Sequence, residues 1–371
     1  MLLFPQKSVS SNDVNKKEFY ILSPRVGVFT ALSENLRMAG ISSVEKIRVD
    51  ITTQQLSVPE NANGVVVDIG TSVEVDKIML TIHSQIPRGA WCCLVGDSDS
   101  IGLAQSFMKN NIHYFNIHSQ QDNLVQAAVL GTELKSIRHP VSVSVLGCKG
   151  GIGTTTLGFL LANEIVRARK LPSLFVQGKF GSRDLDLITG KKLLPELTPV
   201  SKQLDLMSRE SEFLPDLSQP DLQKYNFVVF EQAINVANKE LQRDLAEQSK
   251  CVVLVLDRSM SSVRVARNMI ENIEVLKRSN RVSRRLFVCI SDTRPVTINS
   301  LTHDDMRVLL NHPIDAVIPY SREKGGGSAR RKMFFNNPSP LQELARQVLG
   351  GAVQKKQNLW RNIIMNGRKV N

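Results

Sequence analysis

The residues best suited to chemistry lie in one stretch, VSVSVLGCKGGIGTTTLGFLLANEI, from Val141 to Ile165. An apolar run enters a turn with Gly150, Gly151 and Gly153, and the chain leaves as a helix whose Leu157, Leu160, Leu161 and Ile165 recur at helical spacing. Glycine admits the positive φ that such a turn needs and lets backbone N–H groups close on an anion, while the helix amino end adds a partial positive charge. The chemistry is that of a phosphate cradle, with Lys149 at its entry and Thr154, Thr155 and Thr156 at its exit. The hydroxyl of Thr155 or Thr156 can meet a magnesium ion, as the Ser/Thr of a phosphate-binding loop does.

Two successions of strand and helix patterns would hold these residues. Short apolar runs at Phe19–Leu22, Val44–Val49, Val65–Val67, Trp91–Val95 and His113–Ile117 alternate with stretches near helical period, such as Val28-Phe29-Leu32-Leu36 and Ile101-Leu103-Ala104-Phe107-Met108. After GTELKSIRHPVS the alternation resumes with strands at Val141–Leu146, Leu174–Val176, Phe227–Phe230, Val252–Leu256, Leu286–Ile290 and Ala316–Ile318, and helices over Leu157–Arg169 and Val263–Leu276. Strands separated by helices imply parallel pairing and right-handed crossovers. The expected fold class is α/β, with two doubly wound parallel-sheet domains, the first flavodoxin-like. The expected boundaries are a first domain over 1–132, a linker over 133–140, a nucleotide-binding domain over 141–350 and a basic tail over 351–371.

Composition agrees with two domains: 371 residues, 42% apolar and 22% charged, exclude a disordered or collagen-like chain. The net charge of +12 is unevenly spread, because Ser321–Asn371 holds eleven Lys/Arg against Glu323 and Glu343. That asymmetry points to an acidic partner for the C-terminal part, lipid or nucleic acid, or to a solvated face. In the tail, Leu359, Trp360, Ile363 and Ile364 fall on one side with Lys355, Lys356, Arg361 and Arg368 around them. Such a basic amphipathic helix either lies on a membrane surface or packs its apolar side on the domain. Gly325–Gly327, followed by Arg330-Arg331-Lys332, reads as a loop with a basic end. Cys92, Cys93, Cys148, Cys251 and Cys289 lack CxxC spacing and read as buried thiols in a reducing cytoplasm. Neither a signal peptide nor a membrane-spanning run is expected.

KGGIGTTT resembles the deviant Walker A motif of the MinD/ParA superfamily, KGGxxK followed by Ser/Thr. The resemblance extends over roughly 140–350 and makes Lys149 the signature lysine that reaches across an ATP-sandwiched dimer. LFVQGKFGSRDLDLITG is similar to the second strand and switch I, YNFVVFEQA to the Walker B strand, VLVLDRSMSSVRVARNMIENI to a later strand and helix, and VIPYSRE to the Ile-Pro turn near the adenine pocket. It assigns magnesium to Thr155 and Glu231. Four residues depart from the pattern: Thr154 replaces the loop lysine, Gln177 and Lys179 the two switch I acids, and Glu231 the Walker B Asp. A lost lysine removes up to about 4 kcal/mol at 4 Å and an effective dielectric of 20, less the desolvation it no longer needs. Backbone amides remain, at about 1.5–3 kcal/mol per charge-assisted hydrogen bond, so ATP binding survives weakly. Hydrolysis needs a positioned water and neutralised charge, so little or no ATPase activity is expected. Lys179 either offsets part of the missing charge or is a solvated surface lysine.

The first half resembles a response-regulator receiver with Asp68 at the phospho-acceptor position. Ser23-Pro24-Arg25 stands where the metal-binding acids belong, Gly96 or Asp97 replaces the Ser/Thr, and His118-Ser119 replaces Lys-Pro. Phosphorylation of Asp68 is therefore not expected, and the domain reads as an interaction module. The fusion in this order is similar to the TadZ/CpaE family of pilus assembly proteins, whose members also lose the loop lysine. That resemblance implies a cytoplasmic homodimer at the cell pole and the inner face of the inner membrane, with ATP and Mg²⁺ as structural ligands. It would recruit the motor ATPase and inner-membrane components of the tight-adherence (Tad/Flp) pilus system. The alternative is an active ParA/MinD-like ATPase that positions DNA or protein, its tail gripping phosphates. With +9 of the +12 net charge in Ser321–Asn371, beyond a fold lacking its hydrolytic acids, the excess argues against DNA. An iron–sulfur scaffold needs a cysteine pair that the chain lacks.

Overall fold

A computed structural model describes residues 18–51, 58–131, 139–279, 285–320 and 339–350. Part of the expected linker (133–138), Gly325–Gly327, Arg330–Lys332 and the tail over 351–371 lie outside the described residues.

The first apolar runs form β1 (Glu18–Leu22), β2 (Ser43–Ile47), β3 (Ala62–Asp68), β4 (Trp91–Gly96) and β5 (His113–Asn116), with α1 (Val26–Met38), α2 (Val75–Gln85), α3 (Ile101–Met108) and α4 (Gln121–Gly131) between and after them. The sheet order is β2-β1-β3-β4-β5, and every pairing is parallel. Alternation along each strand feeds two cores. Tyr20, Leu22, Val65 and Val67 pack with Ile78, Ile82 and Phe107 of α2 and α3, whereas Phe19, Ile21 and Val66 pack with Leu32, Leu36 and Leu124 of α1 and α4. Both faces are covered, which is why the strands read as continuous apolar runs.

The second part runs β6 (Val141–Gly147), α5 (Thr154–Arg169), β7 (Ser173–Gln177), α6 (Leu185–Thr189), β8 (Thr198–Ser201), β9 (Leu204–Ser208), β10 (Phe227–Ala233), α7 (Lys239–Gln248), β11 (Cys251–Leu256), α8 (Met260–Arg278), β12 (Arg285–Ser291), α9 (His303–Leu310), β13 (Ala316–Ile318) and α10 (Pro340–Val348). The sheet order is β13-β12-β11-β6-β10-β7-β9-β8. One core joins the sheet to α7, α8 and α9, and the other joins it to α5 and α10. The five cysteines of the chain are free and buried.

The structure departs from the expected strands at one edge, where β8 pairs antiparallel with β9. TPVS and LDLMS are short and mixed in polarity, and Thr198, Leu204 and Leu206 are their only buried residues. Such an edge ribbon carries little hydrophobic signal. On β6, Ser142 and Ser144 look solvent-facing in VSVSV but are buried; Ser142 Oγ donates to the Gln248 carbonyl at 2.8 Å, and Ser144 Oγ lies 2.6 Å from Ser249 Oγ.

The two sheets meet through polar contacts. Asn226 Nδ2 donates to the carbonyls of Ile86 at 3.0 Å and His83 at 3.3 Å, and Arg88 Nε donates to the Tyr225 carbonyl at 2.8 Å. In each sheet the first strand has neighbours that lead the chain in opposite directions, β2 and β3 around β1, and β10 and β11 around β6. Parallel sheets open a crevice at the carboxyl end of such a switch point. Asp68 lies at one crevice and the glycine turn at the other. No helix among the described residues is long and apolar enough to cross a membrane.

Candidate functional site

The glycine turn is built tightly behind and openly in front. A Cβ on Gly147, the last residue of β6, would lie 2.3 Å from Thr154 Oγ1, so the strand end and the start of α5 touch there. Gly151 (φ +74) and Gly153 (φ +77) take the left-handed conformation, and nothing lies within 4 Å of a Cβ on Gly150 or Gly151. Gly153 is the N-cap of the 16-residue α5 and supplies no side-chain cap. The helix amino end therefore offers unpaired N–H groups and its dipole to whatever occupies the open side.

Thr154 lies back against Gly147 and is buried, so that position presents no cation to the open side. Thr155 turns the other way, its Oγ1 2.9 Å from the Ser182 hydroxyl, which also bonds the Asp184 carboxylate. Thr156 is half-buried on the first turn of α5. Beneath Thr155, Glu231 of β10 and Gln177 of β7 are register partners, and a Cβ on Gly158 of α5 would sit 3.3 Å from Glu231 Cγ. Glu231 Oε2 and both polar atoms of the Gln177 amide are buried without a hydrogen-bond partner. Burial pushes the Glu231 carboxyl up to about 7, against Thr155 and Gln177, which favour its charged form. Lys179 pairs with Glu212 at 2.7 Å instead of turning toward the cradle.

The carboxyl ends of β11 and β12 complete a cavity of about 580 Å³ in front of the turn, lined by Lys149–Ile152, Asp257–Ser259 and the segment from Ser291 to Thr297. Lys149 Nζ donates to Asp257 Oδ2 at 2.7 Å and approaches Ser259 Oγ at 3.3 Å. Burial raises the Asp257 carboxyl, but hydrogen bonds from Lys149, Ser259 and Ser262 outweigh it and hold the group below its usual range. Arg258 grips Asp292 through Nε at 2.8 Å and Nη2 at 3.1 Å, which fixes the far wall. Asp257, Arg258 and Asp292 were not singled out from the sequence. The signal available was position, since polar residues just past a central parallel strand face the crevice.

These residues fit a nucleotide phosphate: the cradle is open and uncapped, without Cβ atoms at Gly150, Gly151 and Gly153, and has a cavity in front large enough for a nucleotide body. Lys149, Gly150 and Gly151 line both cradle and cavity. Thr155 and Glu231 supply two oxygen donors, and a magnesium ion there would take its other ligands from phosphate and water, as that ion ordinarily does. Among the described residues no cluster of three His, Cys, Asp or Glu side chains could hold a metal.

Glu231 also gives a pH prediction. Its folded value near 7 exceeds the unfolded 4.5, so the folded state holds the extra proton between those limits and stability falls as pH rises through them. The penalty above pH 7 is about 3 kcal/mol. Glu231→Gln should flatten the change in urea midpoint between pH 5 and pH 8 and raise the pH 8 value.

At the other crevice Asp68 is 3% exposed and fully engaged. Oδ1 accepts from Arg25 Nη2 at 2.6 Å and Gly70 N at 2.9 Å; Oδ2 accepts from Ser23 Oγ at 2.6 Å and Arg25 Nε at 2.8 Å. Arg25 Nη1 spans to Asp97 at 2.7 and 2.9 Å, and His118 Nε2 lies 3.5 Å from the same acid. The guanidinium stands between the two acids as a metal ion would. Its hydrogen bonds to Asp68 first, and then to Asp97, outweigh burial and strengthen its hold on the proton. Both Asp68 oxygens are saturated by fixed donors, an arrangement that stabilises a carboxylate and hinders it as a nucleophile.

No protein-family model matches the chain. No curated protein matches it. Among solved structures it is similar to a ParA family ATPase from Chlorobium tepidum, 16% identical over 49% of this chain and 85% of that one, with a TM-score of 0.38. It is also similar to the MinC:MinD cell division protein complex of Aquifex aeolicus, 16% identical over 58% and 99%, with a TM-score of 0.43. A third is a plasmid partition protein from Borrelia burgdorferi bound to AMPPNP, 15% identical over 57% and 98%, with a TM-score of 0.36.

Proposed function

We propose that this chain is a dimerising scaffold that holds ATP as a structural ligand and turns it over slowly or not at all. The observation that carries the reading is the open, uncapped cradle with Lys149 at its cavity bonded to Asp257, while Thr154 lies folded against Gly147. Binding groups remain, and the groups that neutralise and activate are replaced. Phosphoryl transfer requires the second set. The buried Glu231–Gln177 pair, uncharged for much of the time at neutral pH, supports the same reading.

The cellular role we propose rests on the resemblance to TadZ/CpaE proteins: a cytoplasmic factor at the cell pole and inner-membrane face that recruits the Tad/Flp pilus motor ATPase and secretion components. The first domain, with Asp68 neutralised by Arg25, would act by contact and not by phosphorylation. A fluorescent fusion should form polar foci without other pilus proteins; diffuse fluorescence in that background contradicts the role.

Dimerisation would release Lys149 from Asp257. That pair is half-exposed on the lysine side and is worth at most about 1 kcal/mol. Asp257→Ala should therefore tighten ATP-dependent dimerisation in sedimentation by up to about fivefold for each of the two lysines released. A weaker dimer in the variant, or a strict monomer in both proteins with ATP and Mg²⁺, would count against the role given to Lys149.

A further inference from the structure

Opposite the cradle, at the amino ends of the strands, a cavity of about 470 Å³ lies between α2, the turn at Lys109–Asn111 and the starts of β6, β11 and β12. Met79, Leu80 and Pro140 give it an apolar floor, and Lys77, Lys109, Lys250 and Arg285 reach it from four separate elements. Asp76 is the one carboxylate among its lining residues. Lys77 is partly occupied by Glu74 at 3.3 Å, but among the described residues no ion pair involves Lys109 or Lys250. Arg285 is held in place, its guanidinium donating to the carbonyls of Val348 (3.1 Å) and Gln347 and lying 5.1 Å from the centre of the Phe287 ring.

We infer that this cavity is a second ligand site, for a small soluble organic phosphate with a planar or apolar body, such as a nucleoside monophosphate. Three physical facts lead there. Cations drawn from both sheets converge on one hollow, where their mutual repulsion is relieved by an anion. The apolar floor would cover a ring or hydrocarbon that phosphate alone lacks. The size falls in the range of small-molecule pockets, roughly 300–1,000 Å³. Because α2 belongs to the first sheet and Lys250 and Arg285 to the second, a bound ligand would fasten the two parts together. The inference is independent of the nucleotide reading, since the cradle lies at the carboxyl ends of the same strands.

Pyridoxal 5′-phosphate is a suitable probe, an aromatic ring bearing phosphate and an aldehyde that forms an imine with a nearby lysine amine. The full chain would be equilibrated with it, the imine reduced with borohydride, and the modified lysines mapped by peptide mass. The same map reads Lys149, beside the cradle, separately from Lys109 and Lys250. Labelling of Lys109 or Lys250 should saturate and exceed that of the exposed Lys192 and Lys239 by about tenfold, the equivalent of one charge-assisted hydrogen bond. AMP should suppress it, and sodium chloride of equal ionic strength should not. The double variant K109E/K250E, altered only at exposed positions, should weaken probe binding by about tenfold or more, whereas K192E/K239E should not. Labelling spread over lysines according to exposure, or unchanged probe affinity in K109E/K250E, would overturn the inference.

Discussion

Arg25→Ala is expected to cost about 3 kcal/mol, the lower part of the range for breaking a buried pair by removing one partner. Arg25 keeps a third of its surface in water, which places the value low, but Asp68 does not: its side chain is fully buried in the pair. Without the guanidinium, Asp68 retains only Ser23 and Gly70 N–H as donors, and Asp97 loses both of its bonds from Arg25. Urea unfolding followed by the buried Trp91 of β4 should show the loss in the transition of the first sheet. Adding Asp68→Asn should recover much of it, because the uncompensated charge goes with the carboxylate. A cost below about 1 kcal/mol would mean the pair behaves like a surface salt bridge and does not organise the crevice.

Thr154→Lys is expected to tighten ATP binding by one to two orders of magnitude without creating turnover. A cation restored near the phosphates contributes up to about 4 kcal/mol before desolvation, and roughly half of that corresponds to about thirtyfold in affinity. The fold gives up little, since Thr154 contributes mainly a close contact with Gly147. Turnover should stay near background because, on the proposed resemblance, Gln177 and Lys179 stand in place of the switch acids, and Lys179 is bonded to Glu212. If Thr154→Lys alone gives sustained hydrolysis, the water is positioned by groups other than those acids, and the scaffold reading is wrong. An unchanged affinity would mean the phosphates do not sit in this cradle.

Much of this was legible in the residues. Fully covered parallel sheets make continuous apolar runs, so β3, β4, β10 and β11 announce themselves, as does the strand, glycine turn and helix at Val141–Arg169. Edge elements do not: Pro199 in β8 and Asp205 in the short β9 leave too little apolar pattern for their pairing to be read. At the first crevice, Ser23-Pro24-Arg25 reads as a loss of metal ligands. What it cannot convey is that Arg25 reaches across to Asp68 and Asp97, residues 43 and 72 positions away. Lys149 is legible as the cation at the entry to the glycine turn, but its partner Asp257 lies 108 positions on, and only the β6–β11 pairing brings them together. The carboxylate environment of Glu231 is equally a tertiary property, created by Gly158 and Gln177 closing over it.

Whether the cradle binds ATP without hydrolysing it can be read from one paired measurement on the full chain. Calorimetric titration with ATP and Mg²⁺ would be followed by chromatography of the nucleotide recovered from the same cell. Saturable binding with the nucleotide recovered as ATP is expected. Recovery as ADP at more than one equivalent per chain, or the absence of any binding, would contradict it.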